Sequence, residues 1–392
     1  MQPHPHVVIV GGAAIGSAAA YFLTSHPEFK GSVSVIEQDP SYQHCATTLS
    51  AASIRHQFST PENIQMSQFG TEFLHQFAHK LEVNGYVPDP AFNEKGYLFL
   101  ATPQGVPILK ANHATQCAHG ARIALLSPDQ LATRYPWMNT SDLAAGSLGL
   151  AGEGWLDAYA LMQGMRLKAR AQGAQYVHDT VVDVYRNRNT ITGVQLARAG
   201  HRPCDILINA AGTGSTLLAH KAGIDLPVES RKRSVFYVHC PTPLPDCPMV
   251  IDPSGAYFRP EGPGFIMGIA PAPDNDPACH DFDVQHTLFD ETLWPILASR
   301  VPAFEALRVQ RSWAGHYDMN TFDHNLILGA HPEVHNMLFA NGLSGHGMQQ
   351  SPAIGRALSE LVIYGHFTTL DLRRMGWQRV LENTPLLELN VV

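Results

Sequence analysis

The sequence predicts an α/β chain of two domains, one built on a Rossmann-like parallel unit and the other on an antiparallel sheet. Three observations carry this. The apolar, mostly β-branched run Val7 to Val10 passes directly into Gly11-Gly12-Ala13-Ala14-Ile15-Gly16 and then into an Ala-rich helical stretch, Ser17 to Leu23. A second buried strand, Cys204 to Asn209, runs into another small-residue turn, Ala210-Ala211-Gly212, far along the chain. From Pro227 to Ala270 the pattern changes to short strands alternating with proline turns, as an antiparallel sheet with one covered face requires.

Composition narrows the function classes. The chain has 392 residues, 45% hydrophobic and 15% charged, which suits a soluble two-domain enzyme. A formal charge of -8 gives no general support for a nucleic-acid partner or an anionic membrane. No window approaches 18 uninterrupted apolar residues, so no transmembrane segment is expected. Met1 to His6 has neither a signal core nor an Arg-rich pattern, and the expected location is cytoplasmic, or an organelle matrix if a presequence has been removed. The 6 cysteines form no C-x-x-C pair and are expected as free thiols, and the 21 histidines show no ligand spacing, so no metal is expected.

Taken in order, the first strand, glycine turn and helix place free N–H groups and a helix dipole where a pyrophosphate binds. The second strand, Val33 to Ile36, ends at Glu37, roughly 20 residues beyond Gly16, a spacing that suits a carboxylate accepting from ribose hydroxyls. The middle glycine of the fingerprint is replaced by Ala13, one methyl larger, so a tolerated or slightly shifted pyrophosphate is expected. The motif serves NAD and FAD alike. Gln38 opens a polar loop, and Thr47-Thr48-Leu49-Ser50-Ala51-Ala52 then offers small side chains and hydroxyls past which a flat ring system and its phosphates run close to the backbone. Arg55 follows; its planar fork suits a substrate carboxylate, or equally an internal ion pair.

A helix is predicted from Asn63 to about Leu81, opened by Ser59-Thr60-Pro61-Glu62 and carrying a core stripe of Met66, Phe69, Phe73, Phe77 and Leu81. Gly96 to Ala101 is a strand of the second domain, followed by a helix over Pro103 to Gly120, a strand over Ile123 to Leu126 and a capped helix at Ser127. The loop Gly152 to Asp157 leads into a helix over Ala158 to Gln172, and the strand Val177 to Val184 brings Val182, beside Val181, to an adenine edge. The second strand and Ala-Gly turn at Ala210, Ala211 and Gly212 are what a FAD domain assembled from separated pieces needs and a nicotinamide dehydrogenase does not. Strands follow at Val235 to Cys240, Gly255 to Arg259, Gly264 to Ile269 and Val309 to Tyr317, with a helix over Phe282 to Arg300. Gly342-Leu343-Ser344-Gly345-His346-Gly347, then Met348 and Gln349, lead to a helix over Ala353 to Tyr364 and aim amides at a flavin edge, or form a structural turn. The expected domains are 1–86, 146–227 and 318–392 for the cofactor, and 87–145 and 228–317 for the substrate.

In this order the motifs resemble the FAD-dependent oxidoreductase superfamily of D-amino-acid oxidase, glycine oxidase and sarcosine oxidase over nearly the whole chain. Ser254 to Arg259, Arg300 to Phe304, Trp313 to Asp323 and Ser344 to Gln350 are similar to the mitochondrial FAD-dependent oxidoreductase-domain proteins associated with respiratory complex I assembly. The resemblance implies a glutathione-reductase/p-hydroxybenzoate-hydroxylase-like fold, with a Rossmann-like FAD domain and an antiparallel-sheet substrate domain. Gly315 falls where some sarcosine oxidases join a cysteine to FAD, so the cofactor is expected to be noncovalent. Arg55 is similar to the carboxylate-binding arginine of sarcosine oxidases. Ile266 or Met267 falls where those oxidases place a lysine that helps oxygen react, and His316 near an arginine of glycine and D-amino-acid oxidases.

His316 is expected either to bond an amine or to be packed, Tyr257 and Arg259 to line the substrate face or, for Tyr257, to pack in the sheet, and His346 to lie at the reacting centre. The implied activity is oxidation of the C–N bond of a small amino acid or N-methylated amino acid, by hydride transfer to flavin N5. The electron acceptor is open among oxygen, a quinone and an electron-transfer protein. Two other readings stand beside it: a FAD-containing assembly or interaction factor with little turnover, and a nicotinamide dehydrogenase.

Overall fold

The computed structural model describes residues 4–389. The strand β1 (His6–Val10) sits in the middle of a six-stranded sheet, flanked in parallel by β2 (Ser32–Glu37) and by Ile206–Asn209. The full order is Ile327–His331, Val334–Asn341, Ile206–Asn209, β1, β2, Gln175–His178; only the first pair is antiparallel. Such a sheet is covered on both faces, which is why Val7, Val8, Ile9, Val35, Leu207, Ile208 and Phe339 are all buried. Burying each such side chain is worth roughly 1.5–3 kcal/mol. The helix α1 (Ala14–Ser25) packs on one face between Ala158–Ala171 and Gly347–Tyr364, and Gly355 is small because a Cβ there would lie 2.5 Å from the Ala18 backbone.

The second sheet has eight strands in the order Arg308–Asn320, Val228–His239, Gly264–Gly268, Tyr257–Glu261, Met249–Ile251, Tyr97–Ala101, Ala145–Gly149, Ile123–Leu126. All neighbours are antiparallel except Met249–Ile251 with Tyr97–Ala101. The sheet covers a separate core that includes Leu98, Leu131, Phe236, Phe258, Met267 and Phe304. The boundary expected after 145 falls inside Ala145–Gly149, and that after 317 inside Arg308–Asn320; the sheet takes both strands whole.

Several elements differ from expectation for identifiable reasons. The strand expected over Val177 to Val184 is split at buried Asp179, whose carboxylate accepts the N–H groups of Thr180, Arg198 and Ala199 and turns the chain into Val181–Asn187. The helix expected through Leu81 breaks at Gln76, giving Pro61–His75 and Phe77–Leu81. The helix expected from Phe282 begins at His286 and carries a π turn, Phe289–Leu293, just before Pro295, which has no N–H to continue the ladder. The last long helix starts at Gly347 rather than Ala353. All six cysteines are free. Among the described residues no His, Cys, Asp and Glu group could hold a metal, and no helix is long and apolar enough to cross a membrane.

Candidate functional site

A cavity of about 430 Å³ opens where β1, β2, Ile206–Asn209 and Val334–Asn341 end, and Val10, Ile36, Ala210 and Ala340 line it. This is the carboxyl-end crevice in which open α/β sheets bind ligands. Its floor is set by two glycines. Gly11 has φ +96°, and a Cβ there would overlap the Ala210 carbonyl; a Cβ on Gly16 would overlap the carbonyl of Gly11. Gly12 shapes the turn without lining the cavity. Ala13 takes an extended conformation as the N-cap of α1, and it lines the cavity with Ala14 and Ile15. The methyl is accommodated because Ala13 needs no positive φ. Thr47 Oγ1 lies 3.4 Å from the Ala14 N–H as its acceptor.

Glu37 is pinned before any ligand arrives. Its Oε2 accepts the Gly12 N–H at 2.7 Å and its Oε1 the Asp39 N–H at 2.8 Å. Burial raises its proton affinity, while those two donors oppose the rise. Gln38, Val181, Ala211 and Gly212 complete this end. Of the pair Val181 and Val182 expected at the adenine edge, Val181 lines the cavity and Val182 is 41% exposed. The break at Asp179 shifts the face by one residue.

At the other end the cavity reaches Asp318 and Leu343. Asp318 Oδ2 accepts from the N–H groups of Gly342, 3.0 Å, and Leu343, 3.3 Å. Burial lifts this carboxyl to about 6, against the pull of those amides. Ser344 N–H donates to Asp318 O, and Ser344 Oγ accepts from the Asn320 N–H, both at 3.0 Å. Gly345 has φ +92°, and a Cβ there would sit 2.7 Å from the Tyr317 ring. The 342–347 loop is thus tied to Arg308–Asn320 at the head of the Gly347–Tyr364 helix, while Met348 packs on the first core.

Within the 47–52 run, only Thr47 lines the cavity. Thr48 meets the Cys45 thiol at 3.3 Å, and Ser50 Oγ donates to Thr47 O and accepts from the Ala52 N–H. Leu49 O accepts from Trp313 Nε1 at 2.9 Å, and a Cβ on Gly315 would lie 2.9 Å from Leu49 Cβ. Gly315 is therefore where that loop meets the sheet.

Arg55 is buried beside the Gly347–Tyr364 helix, with its backbone N–H on Gln349 Oε1 at 2.8 Å. Its guanidinium lies over Phe58, 4.6 Å to the centroid, with Tyr97 and Phe99 at 5.5 and 5.6 Å. Nη1 donates to Tyr97 Oη at 3.2 Å, while the buried Nε and Nη2 have no partner among the described residues. Of the two readings of Arg55, the internal ion pair is absent among the described residues. His346 stands edge-on to Phe58 at 5.0 Å with its Nε2 unpartnered. Burial and then the Arg55 charge hold its imidazole neutral, well below its usual range. Burial raises the phenols of Tyr257 and Tyr317, and each also feels Tyr97. Tyr317 was missed; it shares the Gly315 face of its strand, a period-2 signal that was legible.

Two expected site residues are placed elsewhere. Arg259 donates to Ala51 O and Pro260 O, pairs with Glu261 and lies over Trp155, so it fastens the 47–52 loop and has no fork free for substrate. His316 alternates to the face opposite Tyr317, where it lines the cofactor cavity and meets Phe282 edge-on at 4.6 Å. No contact joins it to Arg55 among the described residues. Its Nε2 is unpartnered and burial lowers its proton affinity. Ile266 and Met267, where no lysine stands, are both buried.

The chain matches the family described as FAD dependent oxidoreductase (DAO) over residues 6–361. It is 44% identical over 421 residues to FAD-dependent oxidoreductase domain-containing protein 1 of Xenopus laevis, covering 98% of this chain and 84% of that protein. Among solved structures, L-proline dehydrogenase from P. horikoshii superposes with a TM-score of 0.85 at 24% identity, covering 98% of this chain and 100% of the other. Glycine oxidase from Geobacillus kaustophilus gives 0.81 at 22%, covering 96% and 99%. These two share the fold. The glycine cradle, the pinned Glu37, the helix-head amides and the long crevice fit an extended FAD, and the chain belongs to the DAO family of FAD-dependent oxidoreductases.

Proposed function

We propose that this protein oxidises the C–N bond of a small amino acid or N-methylated amino acid. The observation that carries the reading is the Arg55 guanidinium, buried among Phe58, Tyr97 and Phe99 with two nitrogens unpartnered. A buried cation with no direct ion pair is costly, and a bidentate carboxylate is the ligand whose geometry matches Nε and Nη2. The relatives named for L-proline and glycine act, by those names, on carboxylated amines.

Glu37, the amides of Ala14 and Ile15, Thr47 and the 342–347 loop would hold FAD, which Gly315 offers no thiol to attach. Bound FAD supplies an acceptor for the hydride of the substrate α-carbon, leaving an imine that water hydrolyses. Arg55 anchors the carboxylate, and the rings around it exclude water and strengthen that bond. Neutral His346 offers Nε2 as an acceptor for the substrate amine N–H. The apolar Ile266 and Met267 favour a dehydrogenase or slow oxidase over a fast one.

Anaerobic addition of glycine, sarcosine, proline and D-amino acids to the FAD-loaded protein tests the reading. Bleaching of the flavin band by at least one of them is expected. No bleaching across the series, together with co-purification of a protein partner, would replace it with the assembly or interaction role.

A further inference from the structure

Behind Arg55 lies a second ionisable group that the reaction above does not use. Glu153 is fully buried, and its seat is built for a carboxylate: Gly149 is small because a Cβ there would overlap the Glu153 side chain. Oε1 accepts the His56 N–H at 2.6 Å and Oε2 accepts from Gln57 Nε2 at 2.8 Å. Gln57 also donates to Tyr97 O and accepts from Ser147 Oγ, and Tyr97 Oη accepts from Arg55. The acid and the guanidinium therefore share two intermediaries, the Arg55–His56 peptide, whose N–H bonds Glu153, and Tyr97, whose carbonyl bonds Gln57 and whose hydroxyl bonds Arg55, without forming a direct ion pair. Burial lifts Glu153 to about 7, and the Gln57 and His56 donors and then the Arg55 charge oppose that rise.

Three other ionisable groups near this network, His56, Glu94 and His346, are held below their usual ranges. The His56 ring bonds Thr71 at 2.9 Å, and burial holds it down to about 4, so it is neutral. Glu94, on the segment across the loop, is held below its usual range; it accepts from the Gly152 N–H and pairs with His75. His346, the N-cap of the Gly347–Tyr364 helix, is neutral, and the neighbouring strands contribute Tyr97 and Ser147. Arg55 is the one fixed cation of the set.

Resting on Arg55 as the carboxylate anchor, we propose that Glu153 is a positioning residue that takes a proton from solvent when the substrate carboxylate docks. Before docking, ionised Glu153 balances Arg55 through the network. A second carboxylate on the same guanidinium displaces it from that role. Two like charges in one dry enclosure raise the proton affinity of the one that already sits in apolar surroundings. The sign follows from linkage. Carboxylate affinity is highest where Glu153 is already protonated, falls about tenfold per pH unit between its free and liganded pKa values, and levels beyond.

Isothermal titration calorimetry of the FAD-loaded full chain with acetate, from pH 5.5 to 9 in phosphate and in Tris, reads both affinity and proton uptake. For wild type the acetate Kd should rise at least about tenfold between pH 6.5 and 8.5, with a substantial fraction of a proton taken up per acetate at pH 7.5. Glu153→Gln should bind with a Kd flat to about twofold, at the tight acid-side value, and with no uptake. A flat wild-type profile without proton uptake overturns the proposal and needs no variant to be folded; an unchanged slope in Glu153→Gln overturns it too. Arg55→Met separates the two readings. If it binds acetate like wild type, the anchor is wrong; if it loses acetate while Glu153→Gln keeps the wild-type slope, only the role of Glu153 falls.

Discussion

Replacing Arg55 by Met should weaken substrate binding and, where Glu153 is protonated, leave the fold intact. Met is apolar and flexible, and Phe58, Tyr97 and Phe99 give it rings to lie against. The lost interaction is a buried, charge-assisted pair with a carboxylate. Truncating one partner of such a pair costs about 2–5 kcal/mol, or roughly 30- to 5,000-fold in affinity. The same change takes away the charge that buried Glu153 balances, and removing one of two buried opposite charges is destabilising wherever the other stays ionised. At pH 5.5, where Glu153 is protonated, the Tm of the ligand-free protein should therefore stay within a few degrees of wild type. Anaerobic flavin reduction by a carboxylated amine gives the catalytic efficiency, and calorimetric Tm at pH 5.5 the stability. Efficiency within threefold of wild type, or a Tm lowered by more than a few degrees at that pH, would refute the reasoning.

Gly16→Ala should abolish FAD retention and lower Tm, because its Cβ overlaps the Gly11 carbonyl; absorbance at the flavin band after gel filtration checks it. Arg259→Gln should destabilise by about 1–3 kcal/mol through the lost clamp on the Ala51 and Pro260 carbonyls, with a smaller effect on KM; urea unfolding beside steady-state kinetics separates the two. Asp318, lifted to about 6 by burial, binds its proton more tightly folded than unfolded, so its contribution is largest at acid pH and is lost as pH rises from about 3.8 through 6. Asp318→Asn should accordingly gain stability relative to wild type at pH 7.5 compared with pH 5, measured by urea unfolding at both values.

The cofactor cradle was legible because its information is local. Gly11, Gly16 and Glu37 follow from strand, turn and helix within one βαβ unit, and Arg55 stood out as a cation after a loop of small residues. What the sequence hid was parity. His316 and Tyr317 are adjacent, and strand pairing alone decides which faces the cofactor cavity and which the Arg55 side; Val181 and Val182 differ in the same way. The engagement of Arg259 was not legible although Glu261 lies two residues away, because a basic residue in a strand looks the same whether its fork is free or engaged. Glu153 gave no local signal, since its partners His56 and Gln57 are brought to it by the short pairing of Ser53–Ile54 with Gly154–Trp155.

The sheet that cradles the cofactor takes its strands from His6–Val10, Ser32–Glu37, Gln175–His178, Ile206–Asn209, Ile327–His331 and Val334–Asn341. A ribosome moving at about 5–20 residues per second delivers the last of these roughly 15 to 65 seconds after the first. Ser32–Glu37 joins β1 early and Ile206–Asn209 later, but the crevice at their ends lacks one wall until Val334–Asn341 emerges. The yellow prosthetic group can therefore be enclosed only after Val334–Asn341 has been made, and a scarcity of flavin in the cell would leave a chain with every strand of the sheet in place and its central crevice unfilled.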